Sequence, residues 1–341
     1  MRLTAVSPTC SLWSGFYSRH NFRMRYRVLG RTGLDVSEIG FGCWAIGGTS
    51  YGPTKDEESL QALEAAWENG VNFFDTADTY GHGHSESLLA QFLKGKPREK
   101  IIVATKAGWD FYDGRGSRKN FDPAYLRMAC EKSLQRLRID TIDLYQLHNP
   151  SLELIQKGEV ISVLEALKKE GKIRFIGISL HTEEEALAAM KDQRVDTLQL
   201  VFNLLDQRMG RRIFSQAGKE KVGLIVREPL ACGLLTGKYA ADYEFPKTDH
   251  RRRYQREKMS HEIQKVEMIH RILSTQRLTL TCAALEYILA YEEISTVIPG
   301  AKTPVQVLDN IQATKNPRLR SQEIFLLREM AAREEAFNKH L

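Results

Sequence analysis

Four residues at the ends of apolar runs form a chemically coherent set: Asp75, Tyr80, Lys106 and His148. A phenol titrates near pH ~10 unless a cation sits beside it. Lys106 next to Tyr80 would supply that cation and is expected to pull the phenol pKa down. Asp75 is expected to hold Lys106 charged and in place, and His148 to orient and polarise a carbonyl. Such a group is equipment for giving a proton to a developing alkoxide. Singly, each has a plainer role: an amphiphilic surface Tyr, a solvated Lys, a structural His, an Asp closing a turn. Their shared placement at run ends argues for chemistry.

A site of this kind needs its run ends gathered at one mouth. From Arg27 onward, short apolar runs alternate with amphipathic stretches. The runs are Ile39–Gly47, Val71–Asp78, Ile101–Trp109, Ile142–His148, Ile173–Ser179, Thr197–Asn203, Val222–Leu230 and Ile294–Gly300. Near-continuous apolar runs are expected of parallel strands covered on both faces. Thr54-x-x-Glu57 and Thr182-x-x-Glu185 read as capping boxes at helix starts. Asp122-Pro123 and Thr303-Pro304 place a capping side chain before a first-turn proline. Val160, Val163, Leu164 and Leu167 make one helical stripe, and Gly171 reads as its stop. Eight such units imply α/β architecture, a (β/α)8 TIM barrel, whose sites lie at the C-terminal strand ends. No G-x-G-x-x-G follows the first run, which argues against an open dinucleotide-binding sheet. Residues 24–38 read as a β-hairpin with a Gly turn, an N-terminal cap for the barrel bottom. The polar stretch 240–260 is longer than an ordinary connection, and a long loop there is a functional expectation.

The run Asp75-Thr-Ala-Asp-Thr-Tyr80-Gly-His-Gly-His-Ser85-Glu86 resembles the signature of the aldo-keto reductase superfamily, as does the opening Arg27-Val-Leu-Gly-Arg-Thr-Gly. The resemblance extends over residues 26–320, is nearest a bacterial-type subgroup with Arg-Glu-Pro-Leu, and is more distant to potassium-channel β subunits. It implies hydride transfer from an extended NADP(H), with the catalytic tetrad on Asp75, Tyr80, Lys106 and His148. It also implies that Ser179 and Gln199 hold the carboxamide, with Asn203 a weaker match on the same strand. Arg227 falls where relatives often have an aromatic ring on the nicotinamide, and a guanidinium plane can also stack. Pro229, Leu230, Ala231, Gly233 and Lys238 match the pyrophosphate clamp, and Gly300, Lys302, Gln306, Asp309 and Asn310 the adenosine end. Many relatives have Lys-Ser where this chain has Gly300-Ala301, and Arg at Gln306. A grip on a 2′-phosphate would therefore fall to Lys302, with Arg251 as a second cation, and NAD(H) stays open as the cofactor. Trp44, Tyr51 and Trp109 are candidate walls for a small-molecule carbonyl substrate. The implied activity is NADPH-dependent reduction of aldehydes and ketones. The alternatives are an NAD(P)-linked sugar or aldose dehydrogenase and a nucleotide-binding redox-sensing regulatory subunit.

Composition narrows the class further. The chain has 341 residues with net charge +6. Arg2, Arg19, Arg23, Arg25, Arg27 and Arg31 lie in an acid-free opening stretch and account for that excess, so the body is neutral and no nucleic-acid footprint is expected. Residues 1–24 are expected to be a disordered or spurious extension, with translation starting at Met24, although the stretch also has the look of a transit peptide. Residues 25–341 would form the barrel domain. No apolar run is long enough for a membrane span. Cys10, Cys43, Cys130, Cys232 and Cys282 are scattered, suiting a cytoplasmic, reducing location without a metal site. All five read as small buried residues.

Overall fold

The computed structural model describes residues 24–48, 50–273, 278–315 and 319–338. Residues 1–23, and with them Cys10 and the proposed extension, lie outside the described residues. Met24 itself is buried, 4% exposed.

The chain opens with an antiparallel hairpin, β1 (Tyr26–Val28) and β2 (Asp35–Ser37). Its turn needs left-handed backbone at Gly30 (φ 50°) and Gly33 (φ 69°). At Gly30 any β-carbon would lie 2.1 Å from the Gly223 amide nitrogen, so only glycine fits against the barrel. Arg27 ties this hairpin to the carbonyls of Leu289, Tyr291 and Ile294, and Arg31 to those of Gln193 and Glu220.

The barrel strands are β3 (Phe41–Gly42), β4 (Phe73–Asp75), β5 (Ile102–Ala107), then β8 (Ile142–His148), β9 (Ile173–Ser179), β10 (Thr197–Val201), β11 (Gly223–Arg227) and β12 (Ile294–Val297). A short excursion, β6 (Trp109–Asp110) paired antiparallel with β7 (Arg118–Lys119), interrupts them. The eight barrel strands are parallel and adjacent in chain order. Bridges Ile39 to Val297 and Gly42 to Gly300, with Gly40 N donating to Val297 O at 2.8 Å, join the last strand to the first. Each of the eight apolar runs read from the sequence contains one of these strands.

Side chains alternate in and out along each strand. Leu29 of the hairpin, Phe73, Ile102, Ala104, Leu144, Ile225 and Ile298 fill the lower barrel interior as one cluster. Phe74, Val103, Tyr145, Leu198 and Val226 face the helical layer. Continuing the inward parity upward gives Asp75, Lys106, Gln146, His148 and Arg227 from β4, β5, β8 and β11. The barrel is therefore apolar below and polar above, and that boundary is the floor of the site.

Helix starts follow the sequence in part. Thr182 and Glu185 form the expected capping box ahead of helix Glu183–Met190. The helix Glu159–Lys169 buries Val160, Val163, Leu164 and Leu167 as one stripe. Pro304 opens helix Pro304–Lys315, and Thr303 Oγ1 accepts from Gln306 N at 3.4 Å. The box at Thr54 does not form. That helix begins at Asp56 with Lys55 at the cap and no side-chain cap bond. Its three first-turn acids, Asp56, Glu57 and Glu58, face the helix dipole instead. Asp122 precedes Pro123 as expected but makes no side-chain cap bond. Among the described residues, no helix is long and apolar enough to cross a membrane.

Candidate active site

The inward residues at the upper barrel converge on one buried centre. Lys106 Nζ donates to Asp75 Oδ1 at 2.5 Å, to the Thr76 carbonyl at 2.8 Å and to Tyr80 Oη at 3.4 Å. Lys106 is fully buried and Asp75 is 2% exposed. Burial works against the ammonium, but Asp75 and Tyr80 outweigh it and hold the Lys106 pKa above its ordinary value. Asp75 also accepts at Oδ2 from Gln199 Nε2 at 2.7 Å and Gln146 Nε2 at 3.0 Å. A buried charge pair is tolerable only when its remaining valences are met this way.

Tyr80 reaches this centre from the connection after β4, where its N–H donates to Ala77 O at 3.1 Å and its carbonyl accepts from Ser85 N at 3.2 Å. Trp44 stacks on its ring (centroids 6.0 Å, 24°), and His148 meets it edge-on at 6.0 Å. Burial pushes the phenol pKa up, Lys106 pulls it down and Asp75 pushes it up. The net shift is upward, so the expectation of a lowered phenol is corrected: dehydration at the barrel mouth outweighs the neighbouring ammonium. Tyr80 is thus held as the protonated donor at neutral pH. Burial, then Lys106 and Arg227, push the His148 pKa well below 6.5, so the ring is neutral.

Above this floor opens a cavity of about 880 Å³. Asp75, Tyr80, His148, Trp44, Tyr51 and Trp109 line one part. Gln199, Arg227, Pro229, Leu230, Gly233 and Lys238 continue the wall, and Arg251, Gly300, Lys302, Gln306, Asp309 and Asn310 lie along it as well. Lys106, Ser179 and Ala231 are not on the wall. Lys106 sits beneath Tyr80, and Ser179 Oγ donates to Asn149 Oδ1 at 3.2 Å, leaving Asn149 as the residue at the surface. Asn203 is turned away: its Nδ2 donates to the Glu228 carbonyl at 3.0 Å, and its Oδ1 caps the turn at Leu205 and Asp206.

The clamp segment has unusual backbone. Glu228 (φ 53°), Ala231 (φ 46°), Cys232 (φ 53°) and Gly233 (φ 94°) are all left-handed, which turns peptide groups in a manner suited to anions. Arg227 pairs with Glu228 at 2.5 Å and also reaches His181 Nδ1 at 3.0 Å. Cys232 departs from the expected buried role. It is only partly buried, lines the cavity and lies 3.5 Å from Glu228 Oε2.

The stretch after β11 folds across the mouth. His250 N donates to Ser50 O at 2.8 Å, and the His250 ring lies 4.8 Å from Trp44 and 4.4 Å from Tyr51. Arg251 donates to Asp249, the Cys232 carbonyl and Tyr239 Oη, and stacks 4.3 Å from Phe245. It therefore acts first as a brace of this strap. Lys302 Nζ donates to the carbonyls of Tyr51 and Gly52. Burial lowers the Lys302 pKa, and Arg251 and Lys238 lower it further, so three cations crowd one end.

Gln146, Asn149 and His181 were absent from the residues picked out in the sequence. Gln146 had a signal, since it is a polar residue at an inward position of an apolar run. Asn149 and His181 sit on connections just beyond strand ends, where pattern carries no direction.

Polar atoms left open mark what the cavity is built to hold. Gln199 Oε1 and His148 Nδ1 are buried without partners. An open amide oxygen beside a phenol, and a crowd of cations at the far end, fit an elongated dinucleotide. The sequence profile described as the aldo/keto reductase family matches residues 38–332. The chain belongs to that family. An NADH-specific methylglyoxal reductase of Escherichia coli is 33% identical, covering 90% of this chain and 98% of its own. An aldo-keto reductase of Schizosaccharomyces pombe whose name specifies NADP(+) is 32% identical, covering 82% and 84%. A solved aldo-keto reductase from Bacillus halodurans, in its holo form, superposes with a TM-score of 0.77 at 31% identity, covering 90% and 96%. The protein is an NAD(P)H-dependent oxidoreductase on a TIM barrel, and its relatives divide between the two cofactors.

Proposed function

We propose that this reductase converts aldehydes and ketones to alcohols with NADPH, and that Tyr80 donates the proton. The observation that carries the reading is the Tyr80 phenol at 3.4 Å from a buried Lys106 whose charge Asp75 holds, at the floor of the cavity. A bound dihydronicotinamide supplies the hydride. The open Gln199 oxygen would take its amide N–H, with Asn149 and Ser179 beside it. The left-handed turn at 228–233 and Lys238 would hold the pyrophosphate, and Asp309 and Asn310 would meet the adenosine.

The protein's own part is then positioning and proton delivery. Neutral His148 orients the carbonyl oxygen toward Tyr80. The Tyr80 hydroxyl gives its proton to that oxygen as negative charge develops there, and the adjacent ammonium stabilises the phenolate that remains. Trp44 and Trp109 wall off the carbonyl substrate, and the strap over the mouth excludes water. A cytoplasmic location accords with this cofactor use.

The crowding of Lys302, Arg251 and Lys238 favours an additional anion at the adenosine end, hence the 2′-phosphate. A second reading rests on the engagement of the same Lys302 with Tyr51 and Gly52, together with the absence of a cation at Gly300 and Gln306. On that reading the enzyme is an NAD-linked sugar dehydrogenase running toward oxidation. A substrate panel of aldehydes, ketones and sugars, followed at the dihydronicotinamide absorbance with both cofactors, decides between them. Turnover of aldehydes with NADPH supports the first. Oxidation of sugars with NAD and inertness toward aldehydes would sink it.

A further inference from the structure

The buried network beneath the cofactor wall contains one residue whose role the reaction scheme does not use. Gln146 is fully buried on β8, two residues before His148 and in register with Lys106 of β5 and Gly177 of β9. Its amide lies between two other groups. Gln146 Nε2 is 3.0 Å from Asp75 Oδ2, and Gln146 Oε1 is 3.3 Å from Gln199 Nε2. Gln199 Nε2 is in turn 2.7 Å from the same Asp75 oxygen. Asp75, Gln146 and Gln199 thus close a ring.

The ring fixes which way both amides point. The ammonium of Lys106 sits on Asp75 Oδ1, so Oδ2 of that carboxylate can only accept. The atom of each glutamine facing Oδ2 must therefore be the NH2 group. This argument does not depend on how an amide is drawn. The second proton of the Gln199 NH2 goes to the Gln146 oxygen. With both protons placed, the Gln199 oxygen is left on the other side, buried and unpaired at the cavity wall. The neighbouring strand leaves room for this crossing. A β-carbon at Gly177 would stand 2.8 Å from Gln146 Cγ and 2.6 Å from Thr197 Oγ1, so any side chain there would displace Gln146.

We propose that Gln146 is a positioning residue: it locks the Gln199 amide so that its oxygen is presented as an acceptor for the nicotinamide carboxamide. The inference rests on the reading that Gln199 meets that amide. It predicts a defect in cofactor grip first and in turnover second, because Gln146 touches neither substrate nor cofactor.

Two substitutions separate this role from plain packing. Gln146→Met keeps the volume and removes both hydrogen bonds. It is expected to weaken NADPH and NADH alike by about tenfold in a fluorescence titration, on the scale of one lost hydrogen bond near a charge. The kcat at saturating cofactor should fall less than threefold, on the order of what a bystander to the proton transfer costs. Gln146→Glu supplies the sharper test. While protonated, the introduced carboxyl can donate to Asp75 and accept from Gln199, as the amide does. Once ionised, it places a second carboxylate against Asp75. The charged and titratable groups that face it are Asp75 from β4, Tyr80 beyond β4, Lys106 from β5, His148 from β8 and Arg227 from β11. Gly177 and Gln199 add no charge from β9 and β10.

Cofactor affinity of Gln146→Glu should therefore approach wild type at the acid end of a titration between about pH 5.5 and 8.5, and fall below Gln146→Met at the alkaline end. The wild type and Gln146→Met should lack that slope. Unchanged cofactor affinity in Gln146→Met, or pH-independent affinity in Gln146→Glu, would overturn the proposal. Gly177→Ala gives an independent check and should reproduce the Gln146→Met defect. A fault in the NADPH assignment would show differently, as a changed NADPH-to-NADH ratio in the wild type with both cofactors still responding to Gln146.

Discussion

The two ends of the cavity are built on different principles. At the catalytic end, Asp75, Lys106, Gln146 and Gln199 stand on adjoining barrel strands, each at most 2% exposed, and each is fixed by the strand register before any side chain bonds form. At the adenosine end, Lys302, Arg251 and the 44–53 segment are held by loop-to-loop contacts across the mouth. A strand end is stiff and its side-chain direction is dictated by parity. A loop end is positioned only by the partners it happens to meet. The comparison implies that chemistry should be brittle to single substitutions, and cofactor selectivity graded.

The largest expected effect lies at the stiff end. Tyr80→Phe removes the only phenol on Lys106 and should lower carbonyl reduction by roughly 10³-fold, within the range for a lost general acid. Cofactor affinity should stay within about twofold in a fluorescence titration, since the ring and its stacking on Trp44 remain. Retained turnover would mean that another group delivers the proton. Lys106→Met should cost turnover by about 10²-fold and, unlike the first variant, also cost stability. It leaves the Asp75 carboxylate buried without its cation, a defect of about 3–5 kcal/mol. Chemical denaturation of Lys106→Met beside Asp75→Asn/Lys106→Met tests this, because neutralising Asp75 should restore much of the loss. Equal stability of the two would show that the pair is not what the floor depends on.

The pH dependence of stability sharpens the same contrast. The His148 pKa is depressed in the folded state, chiefly by burial and then by Lys106. The unfolded chain takes up that proton near pH ~6.5, so the folded state loses ground as pH falls below this value. His181 and His250 are shifted in the same direction. Wild type should therefore lose stability from about pH 6.5 downward, at up to about 1.4 kcal/mol per unit for each such histidine. His148→Gln should flatten the slope by one group's share. Thermal melts between pH 5 and 8 measure it, and an unchanged slope in the variant would exclude His148 as a buried neutral ring.

The same distinction governs what could be read from the chain alone. Asp75, Lys106 and His148 lie at the ends of apolar runs, and the runs fixed both their element and their level in the barrel. The hairpin was legible because Gly30 and Gly33 are demanded by backbone geometry. The capping box at Thr182 formed, whereas its twin at Thr54 did not, since short-range pattern is silent on whether a helix starts one turn later. Phenol acidity was misjudged because charge proximity is visible in sequence but the depth of burial is not. The Cys232 thiol and the Arg251 brace depend on where the strap lands, and nothing in residues 240–260 specifies that landing. Gln146 was readable by parity and was passed over because glutamine carries no chemistry of its own.

The smallest effect is expected where loops hold the ligand. Lys302 should supply the main contact to a 2′-phosphate, with four donors of Arg251 already engaged by Asp249, Cys232 and Tyr239. An ammonium has three donors, and the carbonyls of Tyr51 and Gly52 take two, leaving one directed bond and the charge. A single charge-assisted bond on a partly exposed phosphate contributes about 1–2 kcal/mol, or about tenfold in affinity. Lys302→Ala should therefore weaken NADPH by about tenfold. NADH should weaken too, by roughly twofold, because the tie from Lys302 to the Tyr51 segment is lost with it. The ratio of the two affinities carries the information: a fall of about fivefold assigns the phosphate contact to Lys302. Rising ionic strength should narrow the wild-type preference in parallel, since the cations at this end are less deeply buried than the catalytic pair. If both cofactors weaken equally in Lys302→Ala, the lysine serves only to fasten the strap, and the selectivity of this barrel must come from elsewhere along the cavity wall.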